Sequence, residues 1–372
     1  MNKIDFKSNR EPSLGIELEL ALVDEQTMAL SSSIIEVLDR VPERFRERVK
    51  PELMQSYLEI NTDVCRTIGQ AEEDLREKVS AVEQVVDELG LRLYWSATHP
   101  FSLWQEQQVS PNDRYQRLLD MLQDIGRQLV TFGLHVHVGV DSGDKAVMIC
   151  DRIQRHLPTL LALSCNSPWW NNRITGLQSH RSKIMETLPT AGLPPLMRNW
   201  SEYAWLVNHL VETGFINSIR DIWWDVRPHH NFGTVEVRMC DMPGNLSDSL
   251  ALAAIVQCLV VALAEKIDEG TYQHDHHPMM IRQNKWRAGR FGLDAPLVDC
   301  DDFTVRTSRQ EALRLIEMLR PYGRRLDCEA YLEQAAALAS GPSWAQRQLD
   351  ALRRAGSPAA LVRQMTETSR IS

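Results

Sequence analysis

The 372 residues contain no CxxC pair, no internal repeat, no low-complexity tract and no surplus of positive charge. Nor is there an apolar run of roughly 18 residues, the length a membrane-spanning helix needs. Seven cysteines, an odd number, are scattered at Cys65, Cys150, Cys165, Cys240, Cys258, Cys300 and Cys328. That argues against a disulfide framework and against a structural zinc site. Cys150, Cys165 and Cys258 sit in apolar, helix-like surroundings and read as packing residues rather than nucleophiles. The longest apolar stretch, 250–264, is too short to span a bilayer and predicts a buried helix. Residues 1–11 mix charges without an apolar centre, so no signal peptide is expected and the cytoplasm is the expected compartment. Asp and Glu number 50 against 41 Lys and Arg, a net charge of −9. This disfavours nucleic acid or a membrane as partner. Any positive charge that holds a phosphate must be local. With 43% hydrophobic residues the chain can bury a sizeable core, as one large domain or two intimately packed ones.

What the chain does have is alternation. In Gly15-Ile16-Glu17-Leu18-Glu19-Leu20 an extended backbone sends Glu17 and Glu19 to one face and the apolar residues to the other. Two carboxylates side by side on a strand repel. A hard divalent ion with oxygen ligands is the simplest way to stabilise them. A second run, from Gly133 to Val140, puts His135 and His137 on one face, and a third, from Thr234 to Met239, does the same with Glu236 and Arg238. Between the first two runs, residues 51–62 offer Glu52, Glu59 and the hydroxyl of Ser56. Together these predict one polar sheet face lined with Glu, His and Arg.

The motifs GIELEL, ELMQSYLEINTDVC, THPF, LHVHVG, WDVRP and TVEVR follow one another from Gly15 to Arg238. In that order and spacing the chain resembles the carboxylate–amine ligases of the glutamate–cysteine ligase type 2 family, over about residues 14–293. The resemblance implies an α+β fold similar to that of glutamine synthetase, a curved and mainly antiparallel sheet backed by helices. It implies a single catalytic domain over 1–372, with the motifs in 14–293 and a helical segment over 302–372. It also implies ATP as substrate, Mg²⁺ (or Mn²⁺) as cofactor, small amino-acid and amine substrates, and a homodimer. The implied chemistry is attack of a glutamate γ-carboxylate on the terminal phosphate of ATP, then attack of an amine on the acyl phosphate. Such chemistry needs Mg²⁺ and Arg or Lys to neutralise the phosphoryl group in flight.

Carried over residue by residue, the resemblance casts Glu17, Glu52 and Glu59 as ligands of one metal ion. Glu236 and His135 would hold a second, near the transferred phosphate. Glu19 would stand beside them as a ligand or as an anchor for the nucleotide. Arg238, with Glu236 the expected catalytic pair, would clamp a phosphate or the acyl-phosphate oxygens. Arg227 is expected at the substrate carboxylate, with a structural pair to a nearby acid as the alternative. His137 is open between metal ligation and substrate contact, and Ser56 is a further substrate contact. Ser179 and Arg181 match the family's loop motif, which makes Arg181 a substrate or phosphate candidate. Asn284, Arg287 and Arg290 lie where similar chains also place Asn and Arg. Helical spacing puts Asn284 and Arg287 one turn apart, with Arg290 near, to contact the nucleotide or to pair with the acidic surface. Residues 171–175 depart from the acidic and glycine residues common at that place in the family. The acceptor therefore stays open between cysteine, another amino acid and a polyamine.

Other segments are read from periodicity and composition. Residues 70–89 predict an amphipathic helix stopped by Gly90, and 91–98 a strand. Residues 112–130 predict a helix, and 144–164 another, interrupted near Pro158. The stretch 166–195, rich in Pro and Gly, reads as a functional loop or lid, and 307–371 as helices without a chemical motif. His274-Asp275-His276-His277 reads as a solvated linker rather than a metal site. Trp169-Trp170 and Trp223-Trp224 read as core or lid packing. Two other functions stay in view: a glutamate- or nucleotide-binding relative without catalysis, and a metal-dependent hydrolase built on His135 and His137. The hard carboxylates around those histidines favour Mg²⁺ or Mn²⁺ over zinc.

Overall fold

Alternation of Ile and Leu with polar residues makes the Gly15 motif the first half of a long strand, β1 (Leu14–Asp24). The computed structural model describes residues 4–271, 277–299 and 301–371. After β1 come β2 (Val49–Pro51), β3 (Tyr57–Asn61), β4 (Leu91–Tyr94) and β5 (Gly133–Gly139). The short hairpin β6 (Trp169–Trp170) and β7 (Arg173–Ile174) precedes β8 (Val226–His229) and β9 (Thr234–Asp241). The main sheet runs β2-β3-β1-β5-β9-β8 with every pair antiparallel. Ala21 pairs with Tyr57 on one side and with Tyr94 on the other, so β4 continues the edge of β1 that β5 occupies further back.

One face of this sheet is apolar. Ile16, Leu18, Leu58, Ile60, Leu134, Val136, Val235 and Val237 are all fully buried against a helical layer that includes Ile68–Glu88 and Leu246–Asp268. The second of these helices has 23 residues and extends the apolar run at both ends, so by length and composition it could cross a membrane. Here the helices Ile68–Glu88, Gly143–Ile153, Ser308–Arg325 and Glu329–Ser340 pack around it, and it serves as the central core helix. One continuous apolar core joins β1 to the last helix, Pro358–Thr368.

The structure corrects several predicted boundaries. The helix expected over 112–130 breaks at Gln123, which takes φ 51°, into Asp113–Leu122 and Asp124–Arg127. The strand expected over 91–98 ends at Tyr94. The THPF motif that follows is a structural lock. Thr98 Oγ1 donates to the Trp169 carbonyl (2.9 Å), and His99 bridges the Met28 carbonyl (Nε2, 2.9 Å) and the Ser102 N–H (Nδ1, 3.0 Å). Residues 166–195 are pinned rather than loose. Ser167, Ser179 and the Asn166 N–H all donate to the buried carboxylate of Asp241 (2.6, 2.9 and 2.9 Å). Asn171 and Asn172 both take positive φ and form the two-residue turn between β6 and β7. The C-terminal helices are keyed into the same region, where Gln348 accepts from Trp169 Nε1 (2.8 Å) and donates to Asn166 Oδ1 (2.6 Å). Residues 274–276 of the His cluster and Cys300 lie outside the described residues. His277 caps the helix Pro278–Phe291 by accepting from the Met279 N–H.

Candidate active site

Strand register assembles the polar face. Glu17 stands opposite His135 on β5 and Asn61 on β3, and Glu19 opposite Glu59. His137 stands opposite Glu236, and Glu236 opposite Arg227. Directly opposed residues share a face, so the face predicted from alternation is present. Register then tightens into hydrogen bonds. The carboxylate of Glu17 binds both imidazoles, His135 Nδ1 at 2.9 Å and His137 Nε2 at 3.2 Å. The other ring nitrogen of His137 lies 3.1 Å from the Thr234 hydroxyl. Asn61 donates to Glu59 at 2.6 Å, and the Gly133 N–H donates to Glu19.

A β-bulge sets the position of Arg238. Leu134 pairs with Cys240 and Val136 with Val237, so both Arg238 and Met239 lie across from His135. Arg238 donates to Glu236. The bulged carbonyls are capped by the buried guanidinium of Arg181, which donates to Cys240 (3.0 Å), Met239 (3.3 Å) and Arg238 (3.4 Å). Arg181 therefore braces the bulge while also lining the cavity.

The electrostatics divide the acids into two groups. Burial alone would raise Glu17, yet hydrogen bonds from His135 and His137 hold its carboxyl well below the usual range. For Glu236 burial is likewise outweighed, by the charges of Arg227 and Arg238, and its carboxyl is also well below the usual range. Glu52 and Glu59 go the other way. Burial and then the charge of Glu59 push Glu52 well up, and burial followed by the charge of Glu17 pushes Glu59 up. One half of the face is neutralised by the protein; in the other, Lys50 at 3.8 Å from Glu59 and the Asn61 hydrogen bond only partly offset the burial and mutual repulsion of the acids.

The face forms one wall of a cavity of about 560 Å³ that collects Glu17, Glu19, Glu52, Glu59, His135, His137, Arg181, Arg227, Glu236 and Arg238. Among the described residues, three groups of ligand atoms lie within 4.8 Å of one another: Glu19, Glu52 and Glu59; Glu17, Glu59 and His135; and Glu17, His137 and Glu236. The grouping differs from the one expected. His137 rather than His135 lies beside Glu236, because register pairs those two positions. Glu52 joins Glu19 and Glu59 rather than Glu17. Arg227 lines the cavity and pairs with a nearby acid: Nε and Nη2 donate to Glu236 (2.8 and 3.4 Å) and Nη1 to the Ile222 carbonyl (2.5 Å).

Four expected residues are not brought to the cavity. Ser56 is fully buried, its hydroxyl unpaired, one position out of phase with Tyr57 and Glu59, which do line it. Asn284 binds both backbone polar groups of Val298 (2.7 and 2.9 Å) beside a separate cavity among the helices. Arg287 donates to the Pro296 carbonyl at 2.8 Å, and Arg290 lies over the Phe291 ring. From that helix it is Lys285 that supports the site. It pairs with Asp225 (2.6 Å) and Glu186 (2.9 Å), and the Asp225 carbonyl accepts the N–H of Arg238 (2.9 Å). Residues 171–175 do not line the cavity, whereas Trp223 does. Among residues that sequence reasoning passed over, Asn61 was readable as the next same-face position after Glu59. Arg114, Tyr115 and Arg220 also line the cavity, and they carried no local pattern.

A carboxylate-rich sheet face with an arginine held at its centre combines the residue types that suit hard cations and phosphate. Residues 13–367 match the family described as Glutamate-cysteine ligase family 2. The chain belongs to that family and is an ATP-dependent carbon–nitrogen ligase of the glutamate–cysteine ligase type. It is 40% identical over 348 residues to a protein of Gloeobacter violaceus named "Putative glutamate--cysteine ligase 2", covering 93% of each chain. It is also 40% identical over 359 residues to a Frankia alni protein, "Putative glutamate--cysteine ligase 2-1", covering 95% of this chain and 94% of that one. Its fold is similar to the crystal structure of glutamate–cysteine ligase from Francisella tularensis in complex with AMP. There the TM-score is 0.72 at 14% identity, over 98% of this chain and 90% of that one. The bifunctional glutathione synthetase of Pasteurella multocida gives the same TM-score and identity over 96% of this chain, which spans only 52% of that longer one.

Proposed function

We propose that the enzyme activates the γ-carboxylate of glutamate, or of a glutamate-like acid, on ATP and passes the acyl group to an amine, with cysteine the first acceptor to test. The observation that carries this reading is the convergence of β1, β5 and β9, whose register delivers Glu17, His135, His137, Glu236 and Arg238 to one cavity wall. In the first step a carboxylate oxygen of the acid attacks the terminal phosphorus of ATP and the bond to ADP breaks, leaving an acyl phosphate. In the second the amine nitrogen attacks the acyl carbon, phosphate departs with the bonding pair, and the nitrogen loses a proton.

The donor sets suit Mg²⁺ or Mn²⁺. They are hard carboxylates with at most one imidazole in each group, and the raised Glu52 and Glu59 mark charge that calls for a cation. Glu19, Glu52 and Glu59 would hold one ion; Glu17 would serve others with Glu59 and His135, or with His137 and Glu236. A cation bound there supplies neutralisation of phosphate oxygens. The chain's own residues do the positioning. Arg238 presents the rest of its guanidinium to phosphate or acyl-phosphate oxygens while Glu236, itself held by Arg227, fixes its direction. Glu17 aligns both imidazoles. We likewise propose, from the family resemblance alone, that the enzyme is a cytoplasmic homodimer.

Oxygen-18 in the γ-carboxylate of glutamate tests the mechanism. Label in the released phosphate, one atom per turnover, is the expected result. ADP formation without label in the phosphate contradicts the acyl-phosphate route.

A further inference from the structure

A smaller cavity, of about 330 Å³, opens beside the candidate active site and shares Arg114, Leu118 and Arg220 with its wall. Its remaining lining includes Arg117 and Asp221. Three guanidiniums thus meet one carboxylate, and that carboxylate is already engaged. Asp221 accepts the backbone N–H groups of Asn217 (2.9 Å) and Ser218 (3.3 Å) in a capping box, and its other oxygen lies 3.8 Å from Arg114. Among the described residues, neither Arg117 nor Arg220 has a carboxylate within ion-pair distance. In a chain of net charge −9, a local excess of this kind at a cavity mouth attracts anions.

We propose that this annex is an anion subsite that takes a carboxylate or phosphate carried by the acceptor amine, at the end remote from its reacting nitrogen. The proposal rests on the ligase reading and deepens it by naming the acceptor class. The acid groups suited to metal, and Arg238, stand on the sheet. The annex lies off the sheet, between the helix Asp113–Leu122 and the turn Ile219–Asp221. Phosphates in transfer are served at the sheet, so an anion in the annex belongs to a part of a substrate that reaches outward. The three positive charges repel a polyamine and favour an amino acid or a phosphorylated amine. An acceptor with two acidic groups engages more of the guanidiniums than one with a single carboxylate, because each planar guanidinium matches one carboxylate in bidentate fashion.

The test compares wild type with the double variant Arg117→Gln/Arg220→Gln, each acceptor amino acid being paired with its decarboxylated amine. In wild type kcat/KM favours the amino acid by on the order of tenfold or more, and in the variant this ratio falls toward unity. A ratio that survives in the variant while KM for ATP rises assigns the annex to the nucleotide and overturns the proposal. A wild type that uses both members of each pair equally also overturns it. Absence of amine-dependent ADP release with every acceptor contradicts the ligase reading instead. The annex is then decided by calorimetric titration with inorganic phosphate: binding to wild type that the variant loses sustains it, and equal or absent binding overturns it.

Discussion

The guanidinium of Arg181 fills the space that a side chain on Gly133 would need: a Cβ there overlaps Nη2 of Arg181. The same glycine donates its N–H to Glu19, and Arg181 caps the carbonyls of the bulge that carries Arg238. Gly133→Ala therefore displaces Arg181 from the bulge. The expected outcome is a loss of about 1–3 kcal/mol in urea denaturation, the usual cost of overpacking, together with at least a tenfold fall in kcat for ADP release. Activity at the wild-type level would show that the bulge does not depend on Arg181.

Glu236, proposed to act in the chemistry, also holds the local structure together. It is 1% exposed and binds Arg227 and Arg238 together, so neutralising it leaves the buried guanidinium of Arg227 and the half-buried one of Arg238 short of a counter-charge. Glu236→Gln is expected to abolish ADP release and also to cost about 3 kcal/mol, because removing one partner from a buried ionic cluster strands the others. An unchanged urea midpoint would contradict the second part.

His99 gives a pH signature remote from the cavity. Burial pushes its imidazole down to about 3, and its bonds to the Met28 carbonyl and the Ser102 N–H fix the neutral ring. The unfolded chain binds this proton near the ordinary value of about 6.5. Stability from the neutral ring is thus complete above pH 6.5 and is lost as pH falls toward 3, at no more than about 1.4 kcal/mol per pH unit. An imidazole NMR signal assigned to His99 should not titrate between pH 8 and 5. A midpoint near 6.5 would contradict the buried neutral ring.

Glu52 and Glu59 have the opposite sign. Their carboxyls are raised in the fold, so the folded chain binds more protons than the unfolded one. Their contribution to stability without metal falls as pH rises from the ordinary Glu value through the raised one. The proposed divalent ion would replace those protons. MgCl2 or MnCl2 is expected to raise Tm more at pH 8 than at pH 6. At about one hundred times Kd the stabilisation is about 2.7 kcal/mol. A metal effect independent of pH would contradict this.

Much of the site was legible because period-two alternation is a local property. GIELEL, LHVHVG and TVEVR each announce which of their own side chains share a face. The pairing of faces is not local. Whether Glu236 meets His135 or His137 depends on register and on one extra residue in β9. The same limit explains Asn284, Arg287 and Arg290, whose spacing shows that they share a helix face but not what that face packs on. Ser56 failed on phase, one residue from the positions that point into the cavity. THPF marked the family, yet it works as a lock between β4 and the hairpin. Arg114 and Arg220 come from a helix start and a turn, where nothing in the neighbouring sequence distinguishes them from solvated arginines.

The central claim, that this chain joins an acid to an amine at the cost of ATP, is tested most directly by one assay. Purified enzyme receives ATP, Mg²⁺ and glutamate with a panel of amines that includes cysteine, and ADP, phosphate and any amide are measured, the amide by mass spectrometry. ADP and amide formed in equal amounts, only when the amine is present, is the expected result. Turnover of an amide or ester substrate without ATP, sustained by zinc, would contradict the account and point to hydrolysis at His135 and His137.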